Sequence, residues 1–184
     1  TAGSGIYRST NNGTSWIQVY SVQADISVIT VSTANSTKGY LFSANASGNG
    51  GILLSTNNGA NWTAKGLIGV GIRTITVNKK GRIFAGAYEG VYKSTNNGTT
   101  WTGPTLNSSF SSVMNQQSIS DVFALETNDA DFIFAGTSSG LFYSTDDGIT
   151  WELYLDSVAV NTKFTRSISE GFSGVVKGVA LDSV

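Results

Sequence analysis

This sequence predicts an all-β fold built from repeated antiparallel sheets, and three observations support the prediction. An eight-residue pattern that starts with Ser and ends with Trp occurs four times in the 184 residues. Short segments with alternating apolar residues flank the copies, as expected for strands that bury one face. The chain contains 22 glycines and one proline, and the segments between the copies fit strands rather than helical repeats.

Each copy of the octapeptide is predicted to form a tight hairpin turn that is anchored by its tryptophan. Asn-Gly or Asp-Gly between apolar runs favours such a turn, because glycine reaches positive φ without a steric penalty. The Asn or Asp at the third position can accept bonds from backbone N–H groups across the turn. Burial of the indole stabilises the hairpin by at most about 4–6 kcal/mol. The recurring positions are Ser9, Asn11, Gly13 and Trp16; Ser55, Asn57, Gly59 and Trp62; Ser94, Asn96, Gly98 and Trp101; and Ser144, Asp146, Gly148 and Trp151.

The four tryptophans recur at intervals of about 40–50 residues, which is the length of one four-stranded blade of a β-propeller. In each repeat a third strand precedes the octapeptide and a fourth strand follows its Trp. The predicted first strands are 26–31, 72–77, 120–125 and 176–181, and the predicted second strands are 40–44, 82–86 and 132–136. Period-two alternation places two columns of first-strand residues on one face of the sheets. One column is Ile29, Ile75, Phe123 and Val179, and the other is Val31, Val77, Leu125 and Leu181.

The repeats predict that the chain is an arc cut from a larger propeller. Residues 1–20 would form part of a blade, residues 21–65, 66–104 and 105–155 would form three blades, and residues 156–184 would hold a loop and a further first strand. Each blade packs mainly on its neighbours, so an arc leaves its end blades partly uncovered. A ring closed at four blades is the alternative, but its first blade would lack a second strand.

The octapeptide resembles the Asp-box, or BNR repeat, whose pattern is S-x-D-x-G-x-T-W. Asp146 keeps the Asp of that pattern, whereas the other three copies have Asn, and Thr100 and Thr150 keep its Thr. The resemblance implies a β-propeller like those of sialidases, xyloglucan-cleaving glycosidases, sortilin-like receptors and photosystem assembly factors. In that family the box is a structural hairpin between the third and fourth strands of a blade, away from the active face. A sugar or metal site at the turns is disfavoured, because three of the four boxes lack a carboxylate.

Composition excludes several classes of function. The chain has no histidine, which removes the usual general base and most zinc sites, and it has no cysteine for disulfides or thiolate metal sites. The net charge of −1 and the absence of basic runs argue against nucleic acid as a partner. The longest apolar stretch, near residues 66–72, is too short to span a bilayer. We therefore expect no cofactor, no metal and no membrane insertion.

Charged residues near the starts of the first strands are the candidate ligand-binding residues. These strand starts lie on the rim opposite the octapeptide turns, where propellers usually bind. Solvated strand ends are the alternative interpretation, whereas a carboxylate pair about 5–10 Å apart could serve glycoside hydrolysis. Glu89 and Asp121 are the candidates for such a pair. The full set is Arg73, Asp121 and Lys177 near strand starts, and Glu89, Arg166 and Glu170 on loops.

The functional expectation is a non-enzymatic β-propeller region that serves as a rigid platform for protein or glycan contacts. The Arg-Ile-Pro motif of sialidases is absent, because Arg82-Ile83 is followed by Phe84. The alternative is a fragment of a xyloglucanase-like glycoside hydrolase whose catalytic acids lie partly outside this chain. A scaffold like the photosystem assembly factors is disfavoured by the low charge.

Low charge, the absence of cysteine and an uncharged polar surface favour a secreted or cell-surface protein of bacteria. Asn-x-Ser/Thr sequons support this localisation weakly, because a chain rich in Ser, Thr and Asn contains many by chance. The sequons begin at Asn12, Asn35, Asn45, Asn61, Asn97 and Asn107.

Overall fold

The computed structural model describes residues 5–21, 25–45, 51–105, 121–128, 130–137 and 140–154. In these ranges the strands form four antiparallel sheets, each with its strands in chain order. Their bounds are β1 Gly5–Arg8 and β2 Ile17–Ser21; β3 Ile26–Val31, β4 Leu41–Asn45, β5 Ile52–Ser55 and β6 Thr63–Ala64; β7 Ile72–Val77, β8 Ile83–Ala87 and β9 Gly90–Ser94; and β10 Val122–Thr127, β11 Ile133–Thr137, β12 Gly140–Ser144 and β13 Glu152–Leu153. A 3-10 turn, Asn35–Thr37, lies between β3 and β4. The prediction of an all-β fold made of successive antiparallel sheets is confirmed.

The octapeptides form the hairpin turns between the third and fourth strands, as predicted; we call them box 1 (residues 9–16), box 2 (55–62), box 3 (94–101) and box 4 (144–151). In box 3, Asn97 and Gly98 have φ values of 56° and 79°. The N–H of Thr99 donates to the carbonyl of Asn96 at 3.1 Å. Both central residues therefore have positive φ, which a primed turn requires and which Asn and Gly adopt most readily.

One predicted strand is displaced by two residues. The first strand of the last sheet is β10, not 120–125, and its Leu125 pairs with Ala135 as Ile75 pairs with Ala85. The column that contained Phe123 beside Ile75 was therefore wrong, because Phe123 takes the position of Arg73. A shift of two residues preserves the period-two alternation, so the hydrophobic pattern fits both positions of this strand. The irregularity after the first residue of the strand does not explain the error, because β3, β7 and β10 all have it.

The fourth strand after box 3 is reduced to a bridge. Thr102 exchanges two backbone hydrogen bonds with Lys93, at 2.8 and 2.9 Å, and the N–H of Thr105 donates to Val91 at 2.9 Å. The sequence predicted only a weak strand here. The predicted first strand at 176–181, with Val179 and Leu181, lies outside the described residues.

Neighbouring sheets pack face to face around two apolar clusters. The first cluster joins β4 and β5 to β7 and β8 through Phe42, Ile52, Ile75 and Ile83, all of which are buried. The second cluster joins the β7–β9 sheet to the β10–β13 sheet. Its members are Phe84, Val91, Val122, Leu125, Ile133, Ala135, Phe142 and Trp151. A side chain such as Phe42 that is fully buried contributes roughly 1.5–3 kcal/mol, so these interfaces hold successive sheets together.

The first-strand columns are buried in the later sheets but not in β3. Ile75 and Val77 are 4 % and 9 % exposed, whereas the equivalent Ile29 and Val31 are 50 % and 57 % exposed. Among the described residues, the sheet before β3 contains only the outer strands β1 and β2. The inner part of the β3 face therefore has no sheet against it, and the expectation of one buried face is wrong for this strand.

Within the described ranges, no helix is long and apolar enough to cross a membrane.

Candidate functional site

The serine and the third residue of each box form the same hydrogen-bond network. In box 3 the N–H of Gly98 donates to the hydroxyl of Ser94 at 2.9 Å, and that hydroxyl donates to Oδ1 of Asn96 at 3.1 Å. The N–H of Thr100 donates to the same Oδ1 at 2.9 Å. The other three boxes repeat these bonds at 2.8–3.0 Å. An asparagine can replace the aspartate in these shared bonds, because they use one acceptor oxygen. The second atom differs: Oδ2 of Asp146 accepts from the Thr150 hydroxyl at 2.6 Å, whereas Nδ2 of Asn96 donates to the Thr100 hydroxyl at 2.9 Å.

Two of the box tryptophans bind the sheet that precedes their own. The indole N–H of Trp101 donates to the carbonyl of Lys65, which follows β6, at 2.7 Å. The indole N–H of Trp151 donates to the hydroxyl of Thr105, at the edge of the β7–β9 sheet, at 3.3 Å. The box is thus a clamp between successive sheets as well as a turn.

Burial of the indole is not uniform, which corrects the expectation that all four rings are anchored. Trp151 is 5 % exposed and Trp101 is half-buried, but Trp16 is 61 % exposed. Among the described residues, no sheet precedes β1 and β2, so Trp16 has no carbonyl or apolar face to clamp.

Asp146 gives box 4 a titrating group. Burial by itself raises the pKa of this carboxyl, but hydrogen bonds from the Thr150 hydroxyl and N–H, the Ser144 hydroxyl and the Ile149 N–H outweigh it. The pKa of Asp146 therefore lies below its usual value of 3.8. The part of the chain that the structure describes contains no group of three or more His, Cys, Asp or Glu side chains that could hold a metal ion.

A second cluster lies at the opposite rim, where the first strands begin and where β8 turns into β9. Nε of Arg73 is 3.2 Å from Oδ1 of Asp121, so the structure brings these two predicted residues together. The guanidinium carbon of Arg73 lies 4.2 Å from the ring centre of Tyr88 and 5.2 Å from that of Phe123. We call Arg73, Asp121, Tyr88 and Phe123 the arginine cluster.

Glu89, in the turn beside Tyr88, is paired with a tyrosine. Burial raises the pKa of the Tyr92 hydroxyl, and the charge of Glu89 and a hydrogen bond to it raise that pKa further. The two remaining predicted site residues, Arg166 and Lys177, lie outside the described residues, as does Glu170.

Sequence reasoning missed the two aromatic rings of the arginine cluster. Tyr88 is 48 % exposed, and Phe123 was placed in a core column by the two-residue displacement of β10. The signal for Tyr88 was available, because it occupies a two-residue turn between the strand ends Ala87 and Gly90. A tyrosine in such a turn has to point outward.

Charged pairs on the box rim were also missed. Nζ of Lys80 lies 3.1 Å from Oδ2 of Asp131, and Arg82 forms an ion pair with Asp147 in box 4. Lys93 donates from Nζ to the backbone carbonyl of Asp147 at 3.1 Å. Each of these contacts joins the β7–β9 sheet to the β10–β13 sheet. These contacts depend on how the two sheets are positioned relative to each other, which the sequence alone does not give.

Glu126 is a further carboxyl that the sequence analysis did not select. It lies on β10 opposite Phe134, and burial raises its pKa, although a backbone hydrogen bond from Thr127 opposes the effect. A raised carboxyl pKa is a property of general acids, but structural burial produces it too.

Comparison with known families identifies the repeat. Residues 142–153, which contain box 4, match the model described as BNR/Asp-box repeat. Residues 142–153 are therefore an Asp-box repeat, and the sheets form an arc of a β-propeller. No curated protein sequence matches the chain.

Solved structures with the same fold belong to functionally different proteins. The GH74 xyloglucanase from Xanthomonas campestris superposes with a TM-score of 0.63 and 14% identity, over 83% of this chain and 27% of that one. The extracellular domain of BT4673 from B. thetaiotaomicron gives a TM-score of 0.65 and 9% identity, over 97% of this chain and 22% of that one. YCF48 bound to D1 peptide gives 0.58 and 17% identity, over 83% of this chain and 47% of that one. This chain thus spans less than half the length of each, and the likeness extends to the fold alone.

Proposed function

We propose that this chain is part of a non-enzymatic, extracellular or cell-surface β-propeller whose rim opposite the boxes binds a protein or a glycan. The observation that carries the proposal is the arginine cluster. It places a guanidinium, a carboxylate and a half-exposed tyrosine ring together at the starts of the first strands.

The cluster has the chemistry of a recognition surface that is already organised. Arg73 is stacked on Tyr88 and bonded to Asp121, so its orientation is set before a ligand arrives. Preorganised side chains lose less conformational entropy on binding than mobile ones do. Exposed tyrosine and arginine are also the residue types that contribute most to binding energy at interfaces.

The structural neighbours support a binding role in two ways. One neighbour is the extracellular domain of BT4673, and another is YCF48 bound to a peptide. Neither likeness transfers a ligand, but both favour an interaction surface on this fold. The proposed extracellular localisation is based on the likeness to the extracellular domain of BT4673 and on the composition of the chain.

Binding can be measured by titrating the chain with xyloglucan oligosaccharides and, separately, with a synthetic peptide library. Replacement of the cluster by Arg73→Met or Tyr88→Ala is expected to weaken any binding found by at least tenfold, or about 1.4 kcal/mol. Lys38→Met and Ile149→Ala are the matched controls, because both residues are exposed on the box rim. Equal affinity in all four variants would show that the binding site lies outside the arginine cluster.

A fragment of a glycoside hydrolase is the second candidate, and the xyloglucanase neighbour favours it. The two carboxylates predicted for hydrolysis both have polar partners: Asp121 is bonded to Arg73, and Glu89 is bonded to Tyr92. Release of reducing ends from xyloglucan by the purified chain, abolished by Asp121→Asn, would establish this candidate and overturn the first one.

A further inference from the structure

Three of the boxes contain an Asn-Gly dipeptide, which is the sequence most prone to spontaneous deamidation. The dipeptides in the boxes are Asn12-Gly13, Asn58-Gly59 and Asn97-Gly98. A fourth pair, Asn49-Gly50, belongs to no box and lies outside the described residues. Glycine favours the reaction because it has no side chain to hinder its own nitrogen. In box 4 the equivalent residue is Asp147, so box 4 has no amide to lose.

The reaction requires the backbone nitrogen of the glycine as nucleophile. This nitrogen loses its proton to solvent and attacks Cγ of the asparagine, which forms a five-membered succinimide and releases the side-chain nitrogen as ammonia. Water then opens the ring at either carbonyl, which leaves aspartate or isoaspartate. The overall change is hydrolysis of one amide, and no oxidant or reductant takes part.

The box network occupies this nucleophile. The glycine N–H donates to the box serine hydroxyl at 2.8 Å in box 1 and at 2.9 Å in boxes 2 and 3. A nitrogen that donates this bond keeps its proton and is a poor nucleophile. Cyclisation therefore requires that the serine bond open first.

The three boxes differ in how easily that bond can open. Gly59 and Gly98 are buried with their serines, whereas Gly13 is exposed. Box 3 is also clamped by Trp101 on Lys65, whereas Trp16 of box 1 is 61 % exposed. Exposed hydrogen bonds with little packing around them open at low free-energy cost.

We infer that the box serine protects the asparagine of each Asn-Gly turn from deamidation, and that among the three boxes of this chain Asn12 reacts fastest. The serine of the repeat thus has a chemical role in addition to its structural one. It protects the asparagine–glycine turn, which the fold needs, from deamidation.

The test is peptide mapping by mass spectrometry after incubation of the folded chain in mildly alkaline buffer. Deamidation at Asn12 is expected to be at least tenfold faster than at Asn97, because the buried serine bond of box 3 opens less often than the exposed one of box 1. The chain unfolded in urea is the reference, and there the three sites are expected to react within about twofold of one another. Equal rates at Asn12 and Asn97 in the folded chain would overturn the inference.

Substitution of the serine tests the protective role directly. Ser94→Ala is expected to accelerate deamidation at Asn97 several-fold, whereas Ser94→Thr, which keeps a hydroxyl, is expected to restore slow reaction. Ser144→Ala is the matched control, because it removes the same bond from box 4 and leaves box 3 intact. If Ser144→Ala accelerates reaction at Asn97 as much as Ser94→Ala does, general destabilisation explains the effect and the protective role is wrong.

Discussion

The indole nitrogen of Trp101 donates a hydrogen bond to the carbonyl of Lys65, 36 residues earlier in the chain, at 2.7 Å. The same nitrogen lies 3.0 Å from the carbonyl of Gly98 in its own turn. One side chain therefore closes its own hairpin and attaches it to the preceding sheet. The stability of the fold depends on whether such a clamp has a partner.

Removal of a clamped indole is expected to cost far more than removal of an exposed one. Trp101→Ala should lower the free energy of unfolding by about 3–5 kcal/mol, because it leaves a cavity and an unbonded carbonyl at Lys65. Trp16→Ala, in the exposed box 1, should change it by no more than about 0.5 kcal/mol. Urea melts of the two variants make the comparison, and similar losses in both would contradict the clamp.

The carboxyl of Asp146 is expected to make stability depend on pH in the acid range. Its pKa in the folded state lies below its unfolded value near 3.8, so the folded state favours the ionised form. The resulting stabilisation is present above the unfolded value and is lost as pH falls through the folded pKa. Asp146→Asn should therefore flatten the acid limb of a stability–pH profile. Identical profiles for Asp146→Asn and the wild type would rule out this contribution.

A side chain at Gly86 is expected to force two sheets apart. A Cβ there would lie 2.7 Å from Cγ2 of Thr74 and 2.7 Å from Cγ1 of Val122, in the next sheet. Gly86→Ala should destabilise the fold by about 1–3 kcal/mol through overpacking. Gly69→Ala is the comparison, since a Cβ there meets no atom within 4 Å and the cost of its positive φ is about 1–2 kcal/mol. Thermal melts in which Gly86→Ala is neutral would show that the sheets are not in contact at this point.

The ion pair between Arg82 and Asp147 is expected to couple adjacent sheets weakly. Both side chains are partly exposed, at 32% and 23%, so a double-mutant cycle with Arg82→Met and Asp147→Asn should give about 0.5–1 kcal/mol. The coupling should decrease in about 1 M salt, where the screening length is about 3 Å. A coupling energy that does not respond to salt would point to packing of the arginine stem instead of charge.

The sequence predicted the parts of the fold that depend on local chemistry. The turn at Asn97-Gly98, the order of strands and the length of the repeat follow from residues that are close together in the chain. The exact position of β10 did not, because the structure places Leu125, rather than Phe123, opposite Ala135. These two residues are two positions apart, and a shift of two residues leaves the apolar alternation unchanged. Only the pairing with the partner strand decides between the two positions.

The candidate site was predictable only in part for a similar reason. Arg73 and Asp121 were selected separately as charged residues at the starts of two first strands, and the structure brings them to 3.2 Å. The stacking of Arg73 on Tyr88 was not selected, because it needs the geometry of a hairpin turn. The exposure of Trp16 and Ile29 was missed because burial depends on the neighbouring sheet, which a repeat pattern does not describe.

The clamps formed by Trp101 and Trp151 both point backward, toward residues that the ribosome has already made. When either indole emerges, the acceptor that it needs already exists, so each new sheet can attach without waiting for later sequence. Proteins fold during synthesis at about 5–20 residues per second, beginning with the N-terminal part. Because each clamp needs only an acceptor earlier in the chain, a gene duplication that adds a repeat at the C-terminal end leaves the clamps of the earlier sheets unchanged.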